Sequence, residues 1–175
     1  MTVLYATKTY TTGLSVKDKR KKERQVSRQL LYFAVQQEYD FAKTELEFSI
    51  EEGGKPYFIG YPVHFNYSHS AEYAVVALSD TPVGVDIEHF ERAVSPRLLE
   101  RTLATGLLQA HEVSGLAPIN VWTRYEAAYK MGHSPSLRHF REYDLDGYII
   151  SVCSEIGGFS NFVNVVELSE HLHLF

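Results

Sequence analysis

The chain has 175 residues, of which 45% are hydrophobic and 13% aromatic, enough to bury the core of one domain or of two small lobes. Its 17 basic and 22 acidic residues give a net charge of −5, which argues against a general nucleic-acid binder. The single cysteine, Cys153, excludes an internal disulfide and a cysteine-based zinc site, and we expect it to pack in the core. Because the sequence has neither a membrane-spanning apolar run nor the apolar segment of a signal peptide, we expect a cytoplasmic protein.

The first part of the chain predicts a short strand followed by a long helix. The strand covers residues 2–6, and Ser15 and Asp18 have the spacing of a capping box that opens a helix over residues 16–38. The first turns of this helix carry a basic run, Lys17–Arg24. Such a run is either a solvated helix face or a seat for a phosphate group.

The next stretch predicts strands separated by polar turns. A strand over residues 46–50 leads into a turn at 51–56, where Lys55 is either an ordinary loop residue or a charge directed at an anion. A strand over residues 62–67 is expected to end in the polar turn Ser68-His69-Ser70. His69 could then hydrogen-bond either a phosphate or its own backbone.

Residues 83–88 alternate apolar and polar side chains, which is the pattern of a β-strand. Asp86 and Glu88 therefore lie on the same face of this strand. Two carboxylates so close repel each other unless a positive charge lies between them, and Mg²⁺ prefers oxygen ligands of this kind. The alternative interpretation is a solvated strand face with two surface acids.

Two helices are predicted in the second half of the chain. One covers residues 95–112, with a stripe of leucines and Pro96 near its start. The other covers residues 121–131, with Asn120 as its cap. Trp122, Glu126 and Lys130 line one side of it, either as a surface Glu–Lys pair beside a buried tryptophan or as a third metal carboxylate followed by a cation.

The last part of the chain predicts a β-hairpin. Residues 147–154 and 162–168 have strand patterns, and residues 157–161 between them have the composition of a hairpin loop. The histidines, His171 and His173 included, show no spacing typical of metal ligands.

Four short motifs, each weak alone, occur in the order known from one protein superfamily. They are Gly54-Lys55-Pro56, Phe65-Asn66-Tyr67-Ser68-His69-Ser70, Gly84-Val85-Asp86-Ile87-Glu88 and Trp122-x-x-x-Glu126-Ala127-x-x-Lys130. They resemble the G-K-P, F-N-x-S-H-S, G-[IV]-D-[IV]-E and W-x-x-K-E-A-x-x-K signatures of the Sfp-type 4′-phosphopantetheinyl transferases. The resemblance covers residues 25–153, and four motifs in order are hard to obtain by chance.

The resemblance implies an enzyme. Members of the superfamily transfer the 4′-phosphopantetheine arm of coenzyme A to a serine of an acyl or peptidyl carrier protein, require Mg²⁺ and release 3′,5′-ADP. It therefore implies a holo-[acyl-carrier-protein] synthase, with Mg²⁺ or Mn²⁺ as cofactor, coenzyme A as substrate and an apo carrier protein as partner. The nucleophile belongs to the carrier, which agrees with the lack of an activated serine or cysteine here.

Matched position by position, the resemblance also implies individual roles. The implied metal ligands are Asp86, Glu88 and Glu126. The implied contacts to the phosphates of coenzyme A are Lys55, Ser68 and His69. Glu126 is also the expected general base, or holds the water that acts as one, and Lys130 is expected to stabilise or protonate the leaving phosphate. We expect these carboxylates to lie in a surface cleft, outside the core.

The implied fold is α+β, with two pseudo-symmetric lobes that are each a helix packed on a small antiparallel sheet. We expect a shortened N-terminal lobe over residues 1–67 and a C-terminal lobe over residues 68–175 that carries the metal site, in one monomeric unit. Tyr125 stands where the superfamily has a lysine, which puts one phosphate or structural contact in doubt. A carrier is expected to dock near residues 89–115, unless that region is an ordinary packed helix.

Two other hypotheses remain open at this stage. One is a catalytically weakened relative that binds coenzyme A or a carrier protein as an interaction module. The other is an α+β protein whose motifs are coincidental and whose acids form a surface cluster.

Overall fold

The computed structural model describes residues 1–39, 47–50, 54–132 and 138–168. The start of the strand predicted at 46–50, residues 51–53 of the predicted turn, and His171 and His173 lie outside the described residues. The described part combines helices with small, mainly antiparallel sheets, which confirms the α+β class. In that part no helix is both long and apolar enough to cross a membrane.

The described segments form nine strands and four helices. The strands are β1 (Thr2–Lys8), β2 (Phe48–Ile50), β3 (Pro56–Phe58), β4 (His64–Ser70), β5 (Tyr73–Ser79), β6 (Val83–His89), β7 (His139–Leu145), β8 (Tyr148–Ser154) and β9 (Phe159–Val165). The helices are α1 (Val16–Glu38), α2 (Pro96–Ala104), α3 (Ala110–Val113) and α4 (Pro118–Met131).

The first sheet has the strand order β4-β5-β1-β9 and carries α1 on one face. Strand β5 pairs antiparallel with both β4 and β1, whereas β9 runs parallel to β1. Leu30 and Ala34 of α1 are fully buried in a cluster with Val76 and Leu78 of β5. The apolar stripe of α1 therefore fixes this helix on the sheet.

The second sheet has the strand order β6-β8-β7 and packs between the first sheet and α4. The core shared by the two sheets contains Leu4 and Val75 from the first and Val85, Ile87 and Val152 from the second. On the opposite face, Cys153 is fully buried among residues of α4, as predicted. Strand β6 is thus covered on both faces. The packing of α1 on the first sheet and of α4 on the second agrees with the expected architecture, while the pseudo-symmetry and the lobe boundary after residue 67 stay predictions.

The cap of α1 is confirmed, but that of α4 is not. The side chain of Ser15 accepts a hydrogen bond from the backbone N–H of Asp18 at 3.2 Å. Helix α4 begins at Pro118, so Asn120 lies inside its first turn rather than capping it. Proline is favoured at the first helical position because its missing N–H has no partner there in any case.

The single helix predicted over residues 95–112 is wrong. The chain forms α2 and the short α3 instead, with an irregular stretch between them. Gly106 in this stretch has a φ of +69°, a left-handed backbone conformation that glycine adopts readily and that ends helices. The leucine stripe continued through this break, which is why the pattern suggested one element.

The hairpin predicted between residues 147–154 and 162–168 is also wrong. Strand β8 pairs with β6 and β7, whereas β9 joins the first sheet beside β1. The actual hairpin is formed by β7 and β8 around Asp146 and Gly147, whose φ values of 46° and 84° fit a two-residue turn. The Asp-Gly pair was the signal in the sequence that could have identified it.

The polar turn predicted at Ser68-His69-Ser70 is part of β4. These residues pair with β5 up to the partners Ser70 and Tyr73, and the turn falls at Ala71, which has a φ of 47°. The strand therefore extends further than predicted and places its polar side chains beside β6.

Candidate functional site

The acidic face of β6 is turned toward α4 and not toward solvent. Asp86 is only 4% exposed, so the interpretation as a solvated face, and the expectation of a carboxylate outside the core, are wrong for this residue. Helix α4 comes this close because Gly84 has no side chain. A Cβ atom on Gly84 would lie 1.9 Å from the carbonyl oxygen of Ala127.

Polar side chains at alternate positions of β4 bind β6. The side-chain oxygen of Asn66 accepts a hydrogen bond from the backbone N–H of Val85 at 3.0 Å. The hydroxyl of Ser68 donates to Oδ1 of Asp86 at 2.8 Å. The F-N-x-S-H-S stretch therefore holds the acidic strand directly, a role of Asn66 that the sequence alone did not reveal.

Lys130 of α4 completes the surroundings of Asp86. Its Nζ lies 2.7 Å from Oδ1 of Asp86 and 3.0 Å from the hydroxyl oxygen of Ser68. The ion pair of Lys130 is thus made with Asp86, and the alternative of a surface pair with Glu126 is wrong. In the part of the chain that the structure describes, the second oxygen of Asp86, Oδ2, is buried without a hydrogen-bond partner.

Glu126 is a half-buried carboxyl group in the field of Asp86. Its pKa is raised above the ordinary value, first by burial and second by the negative charge of Asp86, while Lys130 and Arg92 act in the opposite direction. A hard divalent cation binds carboxylate oxygens and reduces the repulsion between neighbouring carboxylates. Oδ2 of Asp86, which has no partner among the described residues, is available as such a ligand. Asp86 and Glu126 therefore fit such a cation.

Glu88 is held by other groups. Its carboxylate accepts a hydrogen bond from Ser70 at 2.8 Å and forms an ion pair with Arg92. The guanidinium of Arg92 also lies over the ring of Trp122, 5.5 Å from its centroid. Among the described residues, no three histidine, cysteine, aspartate or glutamate side chains are arranged to hold a metal ion. The structure thus places Glu126 in the electrostatic field of Asp86 and engages Glu88 with Arg92.

A cavity of about 620 Å³ lies beside this acidic centre. Its walls include Lys55, Asn66, Tyr67, Tyr129 and Lys130. The Nζ of Lys55 lies 3.2 Å from the carbonyl oxygen of Val83 and 3.0 Å from that of Met131. A cavity of this volume with two lysines in its wall suits an anionic ligand of nucleotide size.

His69 lies on β4 next to Ser68 and contacts a residue that sequence analysis did not select. Its Nδ1 is 3.6 Å from a carboxylate oxygen of Glu23 on α1. The pKa of His69 is lowered, mainly by burial, with Glu23 acting in the opposite direction. Glu23 could have been found from helical spacing, because it lies on the same face of α1 as the buried Val26 and Leu30.

Comparisons with known proteins agree with the motifs. The chain is 31% identical over 87 residues to the 4′-phosphopantetheinyl transferase ffp of Bacillus subtilis, covering 47% of this chain and 39% of that protein. It is 37% identical over 60 residues to the 4′-phosphopantetheinyl transferase Sfp of B. subtilis strain 168, and the match covers 34% of this chain and 27% of that protein. It is 31% identical over 107 residues to the 4′-phosphopantetheinyl transferase psf-1 of Bacillus pumilus, and the match covers 58% of this chain and 46% of that protein.

These matches confirm the resemblance to the Sfp-type 4′-phosphopantetheinyl transferases. The aligned part of the chain spans less than half the length of each of these three relatives. No protein-family model matches the chain.

Proposed function

We propose that the chain transfers the 4′-phosphopantetheine arm of coenzyme A to a serine of an apo acyl or peptidyl carrier protein and releases 3′,5′-ADP. The observation that carries this proposal is the ion pair between Lys130, which lines the cavity, and the buried Asp86. The negative charge of Asp86 also acts on Glu126, one turn before Lys130 on α4. These residues come from two of the four motifs, and the similarity to relatives named 4′-phosphopantetheinyl transferases supports the assignment.

In the proposed reaction, Glu126 removes the proton from the carrier serine. The serine oxygen bonds to the phosphorus that carries pantetheine, and the bond from this phosphorus to the bridging oxygen breaks. Lys130 neutralises or protonates the 3′,5′-ADP that leaves. Because charge develops on phosphate oxygens, most of the catalytic effect is positioning and electrostatic stabilisation.

A divalent cation fits the acidic centre of this mechanism. Asp86 and Glu126, joined by Glu88 once Arg92 is displaced, would hold Mg²⁺ or Mn²⁺. The ion supplies a Lewis acid for the diphosphate of coenzyme A. Oδ2 of Asp86 supports this assignment, because it has no hydrogen-bond partner among the described residues and a buried carboxylate oxygen in this state is costly.

The proposal extends to substrate and partner contacts. Lys55 in the cavity wall, together with Ser68 and His69 of β4, binds the phosphates of coenzyme A. An apo carrier protein docks on α2 and the segment before it, where Phe90 and Leu103 are 44% and 41% exposed and arginines add positive charge. We expect the protein to act in the cytoplasm as a monomer.

Incubation of the chain with coenzyme A, Mg²⁺ and an apo carrier protein tests the proposal directly. We expect the intact mass of the carrier to increase by one phosphopantetheine group. A panel of fatty-acid, polyketide and nonribosomal-peptide carriers identifies the partner. If every carrier keeps its mass, the transferase proposal is wrong.

A second candidate function is a binding module that has lost most of its catalytic power. It is favoured by the Arg92 contact that engages Glu88 and by Tyr125 in the place of the superfamily lysine. Binding of coenzyme A in a calorimeter, without any transfer to the carrier panel, would select this function.

The first prediction concerns Mg²⁺ and pH. Because the pKa of Glu126 is raised, protons compete with a bound cation for this carboxylate at a higher pH than they would for an ordinary glutamate. Without metal, the same shift makes the folded chain lose stability as pH rises through this range. We therefore expect Mg²⁺ to raise the unfolding temperature more at about pH 8 than at about pH 5.

Thermal unfolding with and without Mg²⁺ measures this effect. In Glu126→Gln the added stability should be smaller and should no longer depend on pH in this range. Glu142→Gln is the matched control. Glu142 lies on β7 and pairs with Arg124, which belongs to the same helix as Glu126, but Glu142 does not line the cavity. An equal Mg²⁺ effect at both pH values would contradict the cation assignment.

The second prediction concerns Lys130. Lys130→Ala should lower the turnover rate about a hundredfold, because the charge developing on the leaving group loses its cation. The dissociation constant of coenzyme A should rise only about threefold. Steady-state kinetics and calorimetry separate the two effects, with the exposed Lys8→Ala as control. Equal losses would instead show that Lys130 acts in ground-state binding.

A further inference from the structure

Glu23 is a buried carboxylate that the proposed mechanism does not use. It is only 5% exposed and lies on the face of α1 that carries Val26 and Leu30 into the core. Acidic side chains are rarely buried to this extent unless they are paired. An apolar residue at this position would continue the stripe, so the carboxylate needs a different explanation.

In the described part of the chain, a lysine and a histidine lie within ion-pair distance of Glu23. Lys19 is one turn earlier on the same helix, with its Nζ at 3.8 Å and its side chain 40% exposed. Because water screens the partly exposed ammonium group of this lysine, the pair contributes little. The other is His69, whose Nδ1 lies at 3.6 Å and which belongs to β4. This second contact connects α1 to the strand that also holds Asp86 through Ser68.

We propose that Glu23 is a positioning residue that strengthens the binding of coenzyme A phosphates through His69. This inference rests on the proposed function, which places His69 against a phosphate. An imidazole that faces a carboxylate through Nδ1 and a phosphate through Nε2 binds both only as the imidazolium, with a proton on each nitrogen. The buried negative charge of Glu23 stabilises this charged form.

The surroundings of His69 explain why such help is needed. Burial lowers the pKa of His69, and the positive charges of Lys130 and Lys19 lower it further, while Glu23 and Asp86 raise it. Of these two carboxylates, Glu23 has the larger effect on the pKa of His69. Because Asp86 is already paired with Lys130, Glu23 is the group that can support a charged His69 without disturbing the acidic centre.

Glu23→Gln tests this proposal, because it keeps the size of the side chain and removes its charge. We expect the dissociation constant of coenzyme A, measured by calorimetry at neutral pH, to rise about fivefold to tenfold. The pKa of His69, followed by imidazole NMR in the free protein, should fall. Glu38→Gln is the matched control on the same helix, because Glu38 accepts a hydrogen bond from Tyr5 instead, and should change neither value.

A double-mutant cycle separates positioning from a purely structural role. In a His69→Gln background, Glu23→Gln should weaken coenzyme A binding no further. Glu23→Asp keeps the charge with a shorter reach and should give an intermediate loss; it also serves if the glutamine variant does not fold.

The outcomes distinguish this inference from the proposed function. If the unmodified chain binds coenzyme A but Glu23→Gln binds it equally well, or if the two substitutions are additive, the positioning role is overturned and the transferase proposal stands. If the unmodified chain binds no coenzyme A, both proposals fail.

Discussion

Glu126→Gln should abolish phosphopantetheine transfer, lowering the rate at least about a thousandfold. Glutamine has nearly the size of glutamate but cannot take the proton of the carrier serine. The half-buried Glu126 is suited to this task because burial and the charge of Asp86 raise its pKa and so its affinity for a proton. Intact-mass analysis of the carrier over time measures the rate, and calorimetry measures coenzyme A binding.

Two controls define what the loss means. Glu142→Gln also removes a carboxylate that contacts α4, through Arg124, and should keep most of the transfer activity. A large excess of Mg²⁺ should not restore Glu126→Gln, since restoration would show that the residue acts only as a metal ligand. Retention of more than about a tenth of the rate would contradict the assignment of Glu126 as the base.

The central part of the candidate site could be predicted because local patterns encode it. Alternation along residues 83–88 identified a strand with Asp86 on its polar face, and helical spacing placed Glu126 and Lys130 on one side of α4. Nothing in these patterns shows that the two elements meet. That expectation came from the order of the four motifs, and the structure brings Asp86 and Lys130 to 2.7 Å.

The contacts around this centre could not be predicted, because they depend on tertiary packing. Arg92 and Glu88 are four positions apart and look like an ordinary surface pair in the sequence, yet the guanidinium that pairs with Glu88 also lies over the ring of Trp122. Glu23 appears as one acid within a basic run, although the fold buries it against His69. Local periodicity describes which face a residue occupies and does not state what covers that face.

The placement of the final strand shows the same limit at the level of topology. The composition of residues 157–161 resembles a hairpin loop, but β9 crosses to the first sheet and pairs in parallel with β1. Strand pairing between distant segments is decided by the core that both sheets share, which no local pattern contains. The hairpin that does form is specified locally, by Asp146 and Gly147.

Gly84→Ala should destabilise the fold by about 3 kcal/mol and should remove transfer activity. The new Cβ would lie 1.9 Å from the carbonyl oxygen of Ala127 and 2.4 Å from the backbone nitrogen of Met131. Backbone atoms cannot rotate away as a flexible side chain does, so α4 must move off β6. This displacement would separate Lys130 from Asp86, because the two residues belong to α4 and β6 respectively.

Urea unfolding measures the stability change, and Gly158→Ala provides the matched control. A Cβ atom on Gly158 would have only the Cα atom of Met1 near it, at 4.0 Å, so its stability should change by less than about 0.5 kcal/mol. Stabilising Gly84→Ala with a low concentration of osmolyte should restore folding but not full transfer, because α4 remains displaced. If the variant is as stable and as active as the unmodified chain, the close approach of α4 to β6 does not determine the geometry of the site.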